Sequence, residues 1–333
     1  MRTAIGMSPV VISQILDDSD GGANGPGLGF GETRAYPAFR HEYAMPYLLD
    51  EITIGPIDTT VDWQIMHGGI ALAGSWMSPY TMCRRLSQEE QQISQPLVQD
   101  LSTPGLGLSA VLQWKLLHPM LVMPNEQITV TLKRQPGVAD INQGPLVVVN
   151  PVCVLRGRSL NSDYQAPARK VVPYAVGFRH SLGQAGLTAP NVQTYQNDDG
   201  ELSNSTPQDV KLDRFAAVIS MDANGVRNGQ PIQLPAKMSI SDSEGGFIAK
   251  DFTDFWLLGN GQSRIWDVKG TLRHHQFWTT NSEVDLSTVA VTSGHDDYAF
   301  SLLVGLVGYR QIDNTQPMDL TGNYYAKPPG GAP

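Results

Sequence analysis

Val152-Cys153-Val154-Leu155-Arg156-Gly157-Arg158 is an apolar strand that leaves through a glycine into an arginine, and Leu303-Val304-Gly305-Leu306-Val307-Gly308-Tyr309-Arg310 repeats that pattern near the other end of the chain. With Leu146 to Val149 before it and Pro151 inside it, the first run is a strand buried on both faces or one interrupted by a bulge. Buried strands ending in Gly and Arg also arise by chance in β proteins. Read as a duplication, the pair predicts two copies of one unit of about 120–150 residues, each with room for about eight short strands.

The residues before each run have a period of two. Val61-Asp62-Trp63-Gln64-Ile65 and Ile128-Thr129-Val130-Thr131-Leu132 alternate apolar with polar residues, so one face meets a core and the other meets water, and Pro124-Asn125-Glu126 supplies a turn. In the second half Lys237 to Ser241 and Arg264 to Lys269 alternate likewise, Phe252 to Leu258 is an apolar strand, and Gly259-Asn260-Gly261 is a hairpin turn. Val284 to Leu286, Val289 to Val291 and Phe300 to Ile312 complete the series. Ser78-Pro79 opens a helical candidate through Arg84 to Ile93, with Ser87 and Glu90 at capping-box spacing, which reads as a crossover between sheets. Two stretches lack apolar periodicity: Asn161 to Lys170, read as a linker, and Asn191 to Gln208, read as a surface loop.

Composition points the same way. The 333 residues hold 33 Gly and 23 Pro, and charged residues make up 17%, too few to coat long solvated helices. All-β is the expected class. A net charge of -9 has the wrong sign for general nucleic-acid binding. Cys83 and Cys153 are too few and too far apart for a disulfide framework or a zinc ribbon, and both are read as free thiols. The longest apolar stretch, Ala299 to Tyr309, is about half of a membrane span, and no signal-peptide core follows Met1-Arg2, so a soluble protein made in the cytoplasm is expected.

At the N-terminus Ser8-Pro9 precedes Val10, Val11, Ile12, Ile15 and Leu16, which reads as a capped helix of about two turns with an apolar stripe. Gly21 to Gly31 then reads as a flexible hinge; its glycine spacing misses the phosphate-binding pattern. The hinge would decouple the stripe Val11, Ile12, Ile15, Leu16 from the body. These four residues are the expected assembly arm, directed at a neighbouring subunit first and at shallow lipid contact second, since Asp17, Asp18 and Asp20 oppose an anionic surface.

Catalytic signatures are absent: no nucleophile elbow, no zincin helix and no Walker loop, so no catalytic residue, cofactor or metal is assigned. His274 and His275, read as strand neighbours, point to opposite faces and do not share a metal. His295, Asp296 and Asp297, and the group Asp198, Asp199 and Glu201, are read as solvated turns, with cation binding left open. Trp63, Trp114, Trp256 and Trp266 fall in apolar strand patterns and are expected in cores, leaving Trp76 and Trp278 as exposed candidates for sugar stacking. Arg156, Arg158, Arg169, Lys170 and Arg179 form a basic group that either meets phosphates or simply solvates a linker; the second reading is preferred.

The layout from about Tyr36 to Ile312, with its paired closing strands at Val152–Arg158 and Leu303–Arg310, resembles the double jelly-roll major capsid proteins of tailless icosahedral viruses, which often enclose a membrane. The resemblance implies two consecutive jelly-roll β-sandwiches with short helical insertions and an N-terminal helical arm. Its divisions are 1–35 for arm and hinge, 36–162 and 163–315 for the rolls, and 316–333 for a Pro/Gly-rich tail. It implies a non-enzymatic homotrimer that tiles a shell in the virion. Its partners are then neighbouring trimers and minor capsid or membrane proteins, with Tyr80–Asp100 and Asn191–Gln208 as tower or neighbour-contact segments. A glycan- or receptor-binding spike or tail protein is the alternative, and an enzyme with dispersed carboxylates on a β-sandwich is the third.

Overall fold

Period-two alternation becomes strand throughout. The computed structural model describes residues 8–16, 28, 31–40, 45–57, 59–86, 110–124, 126–135, 151–160, 169–185, 192–221, 226–227, 230–231, 233–243, 247–249, 255–258, 264–285 and 298–313. The first half holds β1 (Pro9–Ile15), β2 (Thr33–Ala35), β3 (Phe39–Arg40), β4 (Tyr47–Ile57), β5 (Val61–His67), β6 (Ile70–Met77), β7 (Arg84–Arg85), β8 (Ala110–Val122), β9 (Gln127–Arg134) and β10 (Val152–Ser159). The second holds β11 (Arg169–Ala185), β12 (Val192–Gln196), β13 (Val210–Met221), β14 (Val226–Arg227), β15 (Gln230–Pro231), β16 (Gln233–Asp242), β17 (Phe247–Ala249), β18 (Phe255–Leu258), β19 (Arg264–Leu272), β20 (Trp278–Asp285) and β21 (Tyr298–Asp313). Among the described residues there is no α-helix, only a 3-10 turn at Pro79–Thr81.

Sheet order repeats. In the first half β1-β10-β4-β8 forms one sheet and β2-β9-β5-β6 another; in the second, β11-β21-β13-β19 and β12-β20-β16-β17 occupy the same places, with β18 beside β17 on β16. In each half the opening strand lies beside the closing strand, followed by the third and sixth main strands, which is the order of a jelly roll. Each pair of sheets encloses an apolar core. Trp63, Ile52, Leu155 and Val130 lie in the first, and Phe215, Met238, Val284 and Leu306 in the second. A parallel contact between β6 and β11, at Ala73 and Ala175, joins the halves edge to edge.

The two closing strands carry the same irregularity. Opposite β10, Gly157 pairs with Leu49 and Arg156 with Glu51, so Asp50 is an extra residue in β4. Opposite β21, Gly308 pairs with Leu212 and Val307 with Arg214, so Asp213 is the extra residue in β13. A Cβ on Gly157 would overlap the carbonyl of Leu48, and one on Gly308 that of Lys211. The repeated glycine is therefore required by a bulge that presses one backbone onto the next. Burial on both faces explains why the second run is so apolar: in β21 Leu302, Val304 and Leu306 enter the second core while Leu303 and Val307 join the first.

Three expectations are corrected. Residues 9–15 form a strand, not a helix, antiparallel to β10 from Pro9 opposite Arg158 to Ile15 opposite Val152. Val10, Ile12, Gln14 and Leu16 alternate as well as they stripe, β-branched residues favour strand, and β10 offered an open edge. Of the helical candidate from Ser78 to Ile93, the described part up to Leu86 holds only the 3-10 turn, in which Thr81 Oγ1 donates back to the Ser78 carbonyl at 2.7 Å, and then β7, where Arg84 pairs with Gln113 on β8; residues 87–93, Ser87 and Glu90 among them, lie outside the described residues. Asn191–Gln208 is not all loop: β12 pairs with β20, and two buried asparagines hold the segment from Asn197 to Gln208. Asn197 Oδ1 accepts from the Thr280 amide at 2.5 Å, and Asn204 Nδ2 donates to the carbonyls of Gln208 and Leu272. The turn at residues 259–261 and the tail after 313 fall outside the described residues, as do His295 to Asp297 and most of Gly21 to Gly31.

Candidate assembly site

Where the halves meet, small residues make a flat seat. Ala216 of β13, Gly305 of β21 and Gly177 of β11 stand in one register row. Onto it fold Met77 and the turn at Pro79–Thr81: a Cβ on Gly305 would overlap Thr81, and one on Gly177 would touch Met77 Cε at 3.3 Å. Ser78 caps this turn, and Tyr80 donates its hydroxyl to the Ile57 carbonyl at 2.8 Å, so the knob is held by groups of the first half. Arg214 donates to the Met82 carbonyl beside it.

Charged groups flank the seat. Asp62 is buried and accepts from Arg179 Nη2 at 2.7 Å, from Arg179 Nε at 3.1 Å and from Gln135 Nε2 at 2.6 Å. A bare carboxylate there would cost several kcal/mol, so the pair commits the two halves to one register. On the other flank Glu126 accepts from His67 Nε2 at 2.8 Å, from the Met123 amide at 2.9 Å and from Lys170 Nζ at 3.3 Å. Burial alone would raise the Glu126 pKa; the hydrogen bond and charge of His67, helped by the amide and Lys170, outweigh it and hold the carboxyl at about 2.

The basic group noted in the sequence is paired with carboxylates, Arg158 and Arg169 at the solvent-exposed surface and Lys170 and Arg179 largely buried. Each member has a carboxylate: Arg156 meets Glu51, Arg158 meets Asp50, Arg169 meets Asp313, Lys170 meets Glu126 and Arg179 meets Asp62. Sequence reasoning missed Asp62 and Glu126, whose positions in an alternating and a turn segment read as solvent-facing, and gave His67 no role.

The four residues assigned to the arm are divided between two faces of β1. Leu16 is buried in the first core and Ile12 packs against it, while Val11 and Ile15 point outward with 62% and 54% of their surface exposed. The arm is thus part of its own sheet: the Leu16 amide donates to the Pro151 carbonyl at 3.1 Å and the Ser159 amide to the Ser8 carbonyl at 2.8 Å.

Among the tryptophans, Trp63 and Trp114 are buried with ring centroids 6.2 Å apart, and Trp266 packs on Phe215. Trp278 is buried too, contrary to expectation, and Trp76 is half-buried with the Lys133 ammonium over its ring, so the two do not form an exposed platform. His274 and His275 lie in a turn with rings 3.5 Å apart, not on opposite strand faces, and His274 Nδ1 lies 2.6 Å from the Thr206 carbonyl. Glu201 closes its own turn, accepting from the Tyr195 hydroxyl at 2.9 Å and the Asp198 amide at 3.0 Å. Among the described residues no group of three or more His, Cys, Asp or Glu is placed to hold a metal.

The fold is thus an all-β chain whose strands follow the jelly-roll order twice. Its sequence matches no protein-family model and no curated protein. Among solved structures it is similar over nearly its full length to the quasi-atomic model of the PBCV-1 virus capsid, with a TM-score of 0.49, 9% identity and 98% of each chain covered. A chain of the Sputnik virophage structure gives 0.36 and 10%, covering 96% of this chain and 90% of that one. PNGase F, a glycosylasparaginase from Flavobacterium meningosepticum, gives 0.32 and 8%, covering 92% of this chain and 100% of that one.

Proposed function

We propose that this chain is a capsid subunit: two consecutive jelly rolls, divided within residues 161–168, that assemble as a homotrimer and tile an icosahedral shell in the virion. The observation that supports it is the doubled strand order within one chain, with the two rolls held side by side by the flat seat and its flanking ion pairs. Three such chains around one axis present six similar units, an outline that packs a lattice without gaps. The role is structural and needs no catalytic group. Light scattering after size exclusion tests it, with negative-stain microscopy of the same sample. A mass of three chains and hexagonal outlines are expected; a stable monomer at micromolar concentration, unchanged across salt and pH, overturns the proposal.

A further inference from the structure

The matched bulges align the two halves residue by residue. Gly157 faces Val10 on β1, and Gly308 faces Tyr174 on β11. Val10 therefore takes the place of Tyr174 and Ile12 that of Val176; on the opposite face Val11, Ser13 and Ile15 take the places of Ala175, Gly177 and Arg179. Burial agrees for the inward set, since Val10 and Ile12 pack in the first core and Tyr174 and Val176 in the second. The outward sets differ. Ala175 is paired with Ala73 of β6, Gly177 lies under Met77, and Arg179 grips Asp62, all supplied by the first half. Their counterparts Val11 and Ile15 are exposed, and among the described residues β1 has no strand beyond it.

We infer that this face of β1 is covered by a second copy of the chain, whose β17–β18 edge takes the part that β6 plays within one chain. β17 and β18 pair antiparallel with β16 as β6 pairs with β5, and among the described residues neither has a strand on its far side. The joint between β6 and β11 is thus continued from chain to chain. Such a contact is heterologous, and with two rolls per chain it closes into a ring of six rolls after three chains. It also removes an open strand edge carrying two exposed β-branched side chains, which is a template for uncontrolled pairing when left bare. The inference rests on the trimer of doubled rolls proposed above and names the surface that forms it.

Two measurements on the full-length chain test it. The double variant Val11→Asp, Ile15→Asp alters only outward positions; its mass in light scattering is expected to fall to one third of the wild-type value while its circular dichroism is unchanged. Separately, Val11→Cys is combined in turn with Cys at Phe255, Trp256, Leu257 and Leu258 and oxidised mildly, the native Cys83 and Cys153 being buried. At least one pair is expected to give covalent dimers and trimers on a non-reducing gel. A wild-type trimer with an aspartate variant that remains trimeric, or with no cross-link at any of the four positions, overturns this inference and leaves the trimer standing. A monomeric wild type overturns the trimer itself.

Discussion

Replacing Glu126 by Gln removes the charge that draws His67 of the first half and Lys170 of the second to one point. The folded carboxyl sits at about 2, against about 4.3 in an unfolded chain, so the cluster contributes on the order of 3 kcal/mol at about 1.4 kcal/mol per unit. With 22% of the Glu126 side chain exposed, solvent screening lowers this toward about 2 kcal/mol. The folded value lies below the unfolded one. The contribution is therefore complete above about pH 5 and is lost as the pH falls from there through about 2. Urea unfolding followed by tryptophan fluorescence, with Trp63 and Trp114 as buried reporters, measures it across that window. The E126Q variant is expected to be less stable by about 2 kcal/mol at neutral pH, with the gap closing near the acid end. A gap that stays constant with pH would refute the electrostatic account and leave only altered packing; no gap at neutral pH would refute the cluster's role altogether.

Gly157→Ala and Gly308→Ala each force a methyl group against a neighbouring carbonyl, and each is expected to lower stability by about 1–3 kcal/mol in the same assay, where a neutral result would show that the bulges yield freely. Cys83 and Cys153 are fully buried and burial pushes both thiols well above their ordinary range, so native titration with a thiol reagent should find neither until denaturant is added. Deleting residues 1–16 strips Val10, Ile12 and Leu16 from the first core and bares β10; a loss of about 4–6 kcal/mol is expected, and an unchanged melting temperature would show that β1 is dispensable to the fold.

Period two in Val61–Ile65, Ile128–Leu132 and Arg264–Lys269 was enough to establish strands, because alternation fixes which face of a sheet each residue meets before any partner is known. The echo between Val152–Arg158 and Leu303–Arg310 was legible for a related reason: a glycine demanded by close backbone approach leaves the same mark wherever the same bulge recurs. Val10 to Leu16 was not legible, since its apolar residues fit a helical stripe and an alternating strand alike, and the open edge of β10 made the choice. β13 escaped notice because its centre, Phe215–Ile219, is apolar on both faces, the pattern of a strand placed between two cores. Asp62 in Val61-Asp62-Trp63 and Glu126 in a Pro-Asn turn read as solvent-facing. They lie at the seam because Arg179 and Lys170, more than 40 residues further along the chain, fold back upon them, and nothing local to either carboxylate encodes that return.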